Sequence, residues 1–214
     1  MLISFFTKLM FCKIMNKLRL AVFASHEGSN MQSIIDASKQ DKLQAEVVCV
    51  ISNNSSSGAL KRAEKEGIAF YHVSAKTHPI EKDFSDKILE ILNLHKVDLI
   101  ILAGYMKKIP VEILRAYHNK ILNIHPALLP KFGGKDMYGM NVHKAVIASG
   151  EKKSGATVHI VDENYDQGKI LNQIEVAVLS DDTPETLAQR VLKVEHKIYV
   201  ETIQKIIDGS ILLQ

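Results

Sequence analysis

Cysteine is scarce. The chain of 214 residues has two, Cys12 and Cys49, with neither the pairing of a disulfide framework nor the spacing of metal ligands. Nothing in them points to an oxidising compartment, and Cys49, inside the apolar run Val47 to Ile51, reads as a core filler. Long apolar runs are missing as well. Residues 1–16 carry no acidic residue and are rich in Phe, Met and Lys, but Lys8 and Lys13 break their apolar stretches too often for a membrane span. Those lysines are also misplaced for a secretory signal, and no small-residue cleavage site follows. Residues 1–16 are therefore expected to be a flexible extension or the product of a start assigned too early, with Met15 as the later start; residues 17–214 are expected to form the functional domain. Charge of one sign is not in excess. A formal net charge of +3 gives no argument for a nucleic-acid partner. The expectation is a cytoplasmic protein bound to neither nucleic acid nor membrane. The glycines of a Walker loop or a dinucleotide fingerprint are absent too, as are internal repeats and low-complexity linkers.

What is present is ordinary for a globular domain: 46% hydrophobic and 24% charged residues. Strand and helix patterns alternate. Leu18 to Ala24 reads as a strand, followed by a helix with Met31, Ile34, Ile35 and Ser38 on one stripe. Glu46 to Ser52 is a strand, Ala59 to Glu66 a short helix closed by Gly67, and Ile68 to Val73 a third strand. Ile80, Phe84, Ile88, Ile91 and Leu92 then mark a longer helix. Such alternation predicts a single-domain α/β fold: a Rossmann-like open twisted sheet, mostly parallel, with helices on both faces. Lys169 to Val178, alternating at Ile174, Val176 and Val178, is expected at an edge or in antiparallel pairing. Thr183-Pro184-Glu185 starts a last helix running to about Asp208.

Residues 97–130 are the centre of this arrangement. Val97 to Ala103 reads as a strand buried on both faces, ended by Gly104. Pro110 fits the first turn of a short helix. Lys120 to Asn123 is a second short strand, leading into Asn123-Ile124-His125-Pro126. In open α/β sheets ligands bind outside the carboxyl ends of the strands. Asn123 and His125 are two apart, so an extended chain points both to one side. A histidine beside a proline is compatible with packing as well as with catalysis, so the rest of the chain has to decide. The turn Gly28-Ser29-Asn30 opens a helix after the first strand, where free N–H groups and the helix dipole favour an anion; a plain capping turn has the same sequence. Lys131 to Gly139 is glycine-rich and aperiodic, a mobile loop beside the site. Gly155 to Val161 is a strand carrying His159, and Asp162 to Gly168 is an acidic loop. The remaining histidines, His143 among them, show no ligand spacing, so no metal is expected.

Taken in order, GSN after the first strand, LAGYM, NIHP followed by LLP, GATVH and the acidic D-x-G-type loop resemble the phosphoribosylglycinamide formyltransferase family. The likeness runs from about Asn16 to the C-terminus. It implies an enzyme of purine (IMP) biosynthesis that moves the formyl group of 10-formyltetrahydrofolate, its cosubstrate, to the amine of glycinamide ribonucleotide. It further implies a catalytic set of Asn123, His125 and Asp166, with the ribonucleotide on Gly28, Ser29, Asn30 and Glu195. The folate would lie against Met106, Lys107, Lys108, Ile109 and Asn123, and against Asp162, Glu163, Asn164, Tyr165 and Asp166. His159 would sit behind these residues. A monomer or a homodimer is compatible with the resemblance.

The chemistry agrees. Formyl transfer passes through a tetrahedral species with a negative oxygen, which an amide donor and an imidazolium can both hold. Histidine ordinarily titrates near ~6.5, and a carboxylate beside His125 is expected to raise that value and keep the ring charged. The sequence departs from the family at His26 and Glu27, where a Gly and an Asn are common, at Lys107, where Arg is frequent, and near Glu81, where some members carry a folate-contacting Arg. Formyltetrahydrofolate deformylase usually carries a further N-terminal domain, and methionyl-tRNA formyltransferase an additional domain with a basic surface for tRNA; neither is expected here. A non-catalytic nucleotide-binding module on the same fold is the alternative of a different class.

Overall fold

The structure, a computed structural model, describes residues 17–213; the expectations for residues 1–16, Cys12 included, lie outside them. Seven strands form one sheet, β1 (Leu18–Phe23), β2 (Ala45–Ser52), β3 (Ala69–His72), β4 (Leu99–Leu102), β5 (Ile121–His125), β6 (Lys153–Ile160) and β7 (Ile170–Ala177). Their order across the sheet is β3-β2-β1-β4-β5-β6-β7. The first five run parallel, while β6 pairs antiparallel with both β5 and β7. Among the described residues five helices join them, α1 (Ser29–Lys39), α2 (Gly58–Lys65), α3 (Glu81–Leu94), α4 (Val111–Ala116) and α5 (Met140–Ala148), and a sixth, α6 (Pro184–Ile207), follows β7.

The alternation of side chains along each strand divides the core into two layers. Leu20, Val22, Val50, Leu99, Ile101, Leu122 and Ile124 face one side, against α1, α2, α5 and α6. Ala21, Phe23, Cys49, Ile51, Ile100, Leu102 and Ile121 face the other, against α3 and α4. That second layer includes no residue of β6 or β7. Asn123 and His125 share the parity of Ile121, so they face that side at the point where its helical cover stops. This gap in the cover leaves room for a site.

Several local details differ from the sequence reading. The fifth strand runs on to His125 instead of stopping at Asn123, because β6 supplies a ladder partner, pairing His125 with Thr157 and Asn123 with His159. Pro110 is the residue before α4, not its first residue. Ile80 stands before α3 and is 60% exposed, while Ser85 takes a buried place on that helix. The start of α6 is as expected: the Thr183 side chain accepts from the Thr186 N–H, the Thr186 hydroxyl accepts from the Thr183 N–H, and Pro184 fills the first turn. Tyr199, fully buried on α6, directs its hydroxyl at the carbonyls of Leu102 and Leu122, 3.0 and 2.9 Å away. It thereby ties the last helix to the last residue of β4 and to Leu122 of β5.

Candidate functional site

A cavity of about 470 Å³ opens above the carboxyl ends of β4 and β5. The strand order turns back at β1 and β4, and such a switch point is where an α/β sheet leaves a crevice. Most of the expected site residues line the cavity: Asn30, the stretch Met106, Lys107, Lys108 and Ile109, then Asn123, His125 and His159, the loop Asp162, Glu163, Asn164, Tyr165 and Asp166, and Glu195. Gly28 and Ser29 are not among the lining residues. The close approach at Gly28 is made to the protein itself. Its φ is 72°, and a Cβ there would lie 2.9 Å from Cα of Ala59 at the start of α2.

Each functional side chain is held by its own element. The 104–109 segment is anchored through Ser25, whose hydroxyl accepts from the Met106 N–H at 2.8 Å and donates to Asn53 at 2.6 Å. Asn123 and His125 project from β5. The Nε2–H of His125 donates to the Phe132 carbonyl at 2.7 Å, and its Nδ1 lies 3.6 Å from Oδ2 of Asp166. Oδ2 of Asp166 also accepts from the Gly134 N–H at 2.9 Å, and Oδ1 lies 3.4 Å from Nε2 of His159. That same Nε2 is 3.1 Å from Nδ2 of Asn123. The 131–139 loop is thus stitched to both His125 and Asp166. Phe132 and Asp166 have φ of 57° each, a left-handed conformation that costs a non-glycine residue on the order of 1 kcal/mol and that gathers at functional sites.

The charge states depart from expectation at one point. Burial pushes the His125 ring below its ordinary value, and the attraction of Asp166 and the Phe132 hydrogen bond do not fully offset it. The ring is therefore neutral at neutral pH, not held as an imidazolium; desolvation outweighs the carboxylate. Burial pushes Asp166 upward, but the His159 hydrogen bond, the His125 ring and the Gly134 N–H hold its carboxyl below the usual range. A neutral His125 with its proton on Nε2 presents a lone pair on Nδ1 toward an ionised carboxylate. That arrangement can receive a proton and then hold the resulting charge.

The other end of the cavity is different in character. Asn30 donates from Nδ2 to Oε2 of Glu195 at 2.7 Å. Both are buried, at 8% exposure each, and burial holds the Glu195 carboxyl above its ordinary value against the pull of Asn30. Oδ1 of Asn30, a residue that lines the cavity, has no partner within the described residues. Among the described residues no group of three or more His, Cys, Asp or Glu side chains could hold a metal ion. The sequence pattern that defines the formyl transferases matches residues 18–203. The chain belongs to the formyl transferase family.

Among the relatives of this chain is the chloroplastic phosphoribosylglycinamide formyltransferase of Vigna unguiculata. The two are 48% identical over 91% of this chain and 62% of that protein. The chain therefore spans less than two thirds of the length of that plant relative. The phosphoribosylglycinamide formyltransferase of Bacillus subtilis is 38% identical over 88% of this chain and 94% of its own length. Among solved structures, glycinamide ribonucleotide transformylase 1 of Symbiobacterium toebii superimposes with a TM-score of 0.86 at 35% identity, covering 93% of this chain and 92% of that one.

Three contributors to this candidate site were not legible from sequence. His143 on α5 lines the cavity, is 5% exposed and has no partner for Nδ1 among the described residues; burial, with a smaller effect from His125, holds its ring below the ordinary value. Its place on one buried stripe of a short apolar helix was the available signal. Thr157, fully buried, donates to the Ala127 carbonyl at 2.6 Å and accepts from the Leu129 N–H at 3.1 Å, clamping the turn that follows His125. The Phe132 carbonyl is backbone, and nothing in a sequence marks it.

Proposed function

We propose that this formyl transferase moves the formyl group of 10-formyltetrahydrofolate to the amine of N1-(5-phosphoribosyl)glycinamide, in purine biosynthesis. The observation that carries the reading is the meeting of three groups from distant parts of the chain. Asn123 and His125 stand on one face of β5, and Asp166 reaches them from the loop after β6, 3.6 Å from the His125 ring. The similarity to phosphoribosylglycinamide formyltransferases of both plant and bacterial origin supports the same reading.

The residues fit the steps of such a transfer. The ribonucleotide amine attacks the formyl carbon, and a C–N bond forms as the carbonyl oxygen takes up charge. Asn123 supplies an N–H to that oxygen. His125, neutral with a lone pair on Nδ1, takes the proton that the amine sheds, and the adjacent Asp166 stabilises the imidazolium. The folate nitrogen then leaves with its electron pair and receives that proton, directly or through one water. Tetrahydrofolate and the formylated amide result. Asn30 and Glu195 offer paired polar atoms for the ribose, with Gly28 and Ser29 at the helix start for the phosphate. The segment 106–109 and the loop 162–166 flank the folate. No step requires a metal.

Cytoplasm is the compartment we propose, in one or two copies of the chain, without nucleic acid or membrane. Cys49 is a buried thiol, pushed up to about 12 by burial. No helix of the described residues is long and apolar enough to cross a membrane. The test is an assay of tetrahydrofolate production from 10-formyltetrahydrofolate with and without the ribonucleotide. Turnover dependent on the ribonucleotide is expected. Release of formate at the same rate without it would replace this reading with that of a deformylase.

A further inference from the structure

Two carbonyls of the turn before α1 are drawn onto α2. The Ala59 N–H donates to the His26 carbonyl at 3.0 Å, and the Nε–H of Arg62 donates to the Glu27 carbonyl at 2.8 Å. A peptide unit is planar and trans, so its N–H points opposite to its C=O. With both carbonyls on α2, the N–H groups of Glu27 and Gly28 point away from it. Gly28 is left-handed, with φ 72° and ψ 29°, and a left-handed residue followed by helical ones gathers successive N–H groups on one concave side. No side chain caps α1, so the N–H groups of Ser29 and Asn30 have no partner from the helix either. Together these donors form a cradle for an anion. The Asn30 side chain, 8% exposed, lines the adjoining cavity and keeps Oδ1 without a partner among the described residues. The turn thus meets the cavity at a buried polar group that the described residues leave unmet.

The helix α2 also takes up the acidic side chain of this turn. A Cβ at Gly58, the first residue of α2, would lie 2.7 Å from Oε2 and 2.9 Å from Cα of Glu27. The bare Gly58 makes room for that carboxylate at the start of α2, where the helix dipole favours it. Arg62 is braced in turn from α1. Its Nη1 donates to Oε1 of Gln32 at 3.4 Å, and Nε2 of Gln32 donates to Asp36 and to Glu66 at 3.0 Å each. We propose that Arg62 is a positioning residue for the phosphate of the ribonucleotide: without a contact to the ligand, it holds the Glu27 carbonyl on α2 and so keeps the Gly28 N–H turned to the phosphate. Without Arg62 the peptide between Glu27 and Gly28 is free to turn over. That motion withdraws a donor from the cradle and aims a carbonyl at the anion. The proposal rests on the formyl-transfer reading for the identity of the anion, a sugar phosphate, but not for its geometry.

Two replacements separate the hydrogen bond from the rest of the side chain. Arg62→Met keeps the length of the stem and has no donor. Arg62→Gln carries an N–H as many bonds from the backbone as Nε of Arg, and no charge. Both residues are good helix formers. For Arg62→Met, KM for the ribonucleotide is expected to rise about tenfold, as the loss of one hydrogen bond from a charged donor implies, with kcat and KM for the folate within about threefold of wild type. Ribosylglycinamide, which lacks the phosphate, is the control substrate, and its kcat/KM is expected to be equal in the two proteins. Arg62→Gln is expected to recover most of the lost affinity. An unchanged KM, or equal losses with and without the phosphate, would leave Arg62 a merely structural residue. A Gln variant no better than the Met variant would assign the effect to charge. Each of these results overturns the proposal. If Arg62→Met does not fold, Gly58→Ala disturbs the same turn through the other contact. It is expected to show the same selectivity for the phosphate, and a loss blind to the phosphate overturns the proposal there too. If the wild type shows no ribonucleotide-dependent turnover, the formyl-transfer reading fails. Calorimetric binding of ribose 5-phosphate to the wild type and to Arg62→Met then still decides the role of Arg62: weaker binding by the variant supports it, and equal binding overturns it.

Discussion

Replacing Thr157 by Val separates hydrogen bonding from packing at the corner that carries His125. The two side chains have nearly the same volume, so no cavity forms. What disappears is the hydroxyl. The Ala127 carbonyl loses its donor at 2.6 Å and the Leu129 N–H loses its acceptor at 3.1 Å. Gln173 also donates to the hydroxyl at 2.9 Å, but it keeps a second acceptor in the Leu129 carbonyl, also at 2.9 Å. Ala127 is fully buried and Leu129 is 5% exposed, so solvent does not replace the lost partners. Two stranded backbone groups at about 1–3 kcal/mol each give a loss of roughly 2–6 kcal/mol. For a domain of this size, at about 2–4 °C per kcal/mol, that is a fall in Tm of about 4–24 °C. Thr157→Ser is the control. It keeps the hydroxyl and removes one buried methyl, at about 0.5–1.5 kcal/mol. Guanidinium denaturation of both variants, with the slope m checked for constancy, measures the difference. If Val costs no more than Ser, the hydroxyl is not what holds the turn, and the account of this corner is wrong.

Three further outcomes are expected. Gly28→Ala forces a Cβ into a backbone with φ 72° and to 2.9 Å from Ala59, costing roughly 2–4 kcal/mol; a melting temperature equal to wild type would refute the tight approach of α1 to α2. Glu195→Gln removes a carboxylate whose charge is disfavoured by burial. It should stabilise the protein at pH 7.5 by roughly 1 kcal/mol while weakening ribonucleotide binding. Since the folded carboxyl sits above its unfolded value, the gain should fade toward pH 4.5, where Glu195 is protonated in the wild type; an equal gain at both pH values would contradict the assignment. Burial is the largest cause of the lowered values at His125, His143 and His196. For groups depressed in the folded state, the stability gained by staying neutral is fully present above the unfolded value near ~6.5 and is lost as pH falls through the folded values. Tm should therefore drop between pH 7 and pH 5, less steeply in His143→Gln, and a parallel slope in that variant would show that His143 does not contribute.

The parts of this site that the sequence revealed are those with a local signature. The helix α1 showed itself by its stripe of Met31, Ile34 and Ile35, and α6 by Thr183 and Pro184 at its start, because caps and periodicity act within a few residues. Asn123 and His125 were legible as a pair because a spacing of two in a strand fixes a common side. The reach of β5 to His125 was not legible. It depends on β6 arriving antiparallel from about thirty residues away, and no local propensity encodes a partner. The charge of His125 was misread for a related reason. The neighbouring carboxylate could be inferred from the acidic loop, but the burial that outweighs it comes from the whole packing around the ring. His143 was passed over because its role depends on where α5 docks. The tight packing of Gly28 on α2 was not legible either, because it depends on where α2 docks.

The most direct measurement is single-turnover formyl transfer by His125→Ala, run beside calorimetric binding of the ribonucleotide to the same protein. Removal of a group that handles the proton of the reacting amine should lower the rate by about 10²–10⁴-fold and leave the dissociation constant within about threefold of wild type. A rate within tenfold of wild type, or a loss of binding as large as the loss of rate, would contradict a catalytic centre built on Asn123, His125 and Asp166.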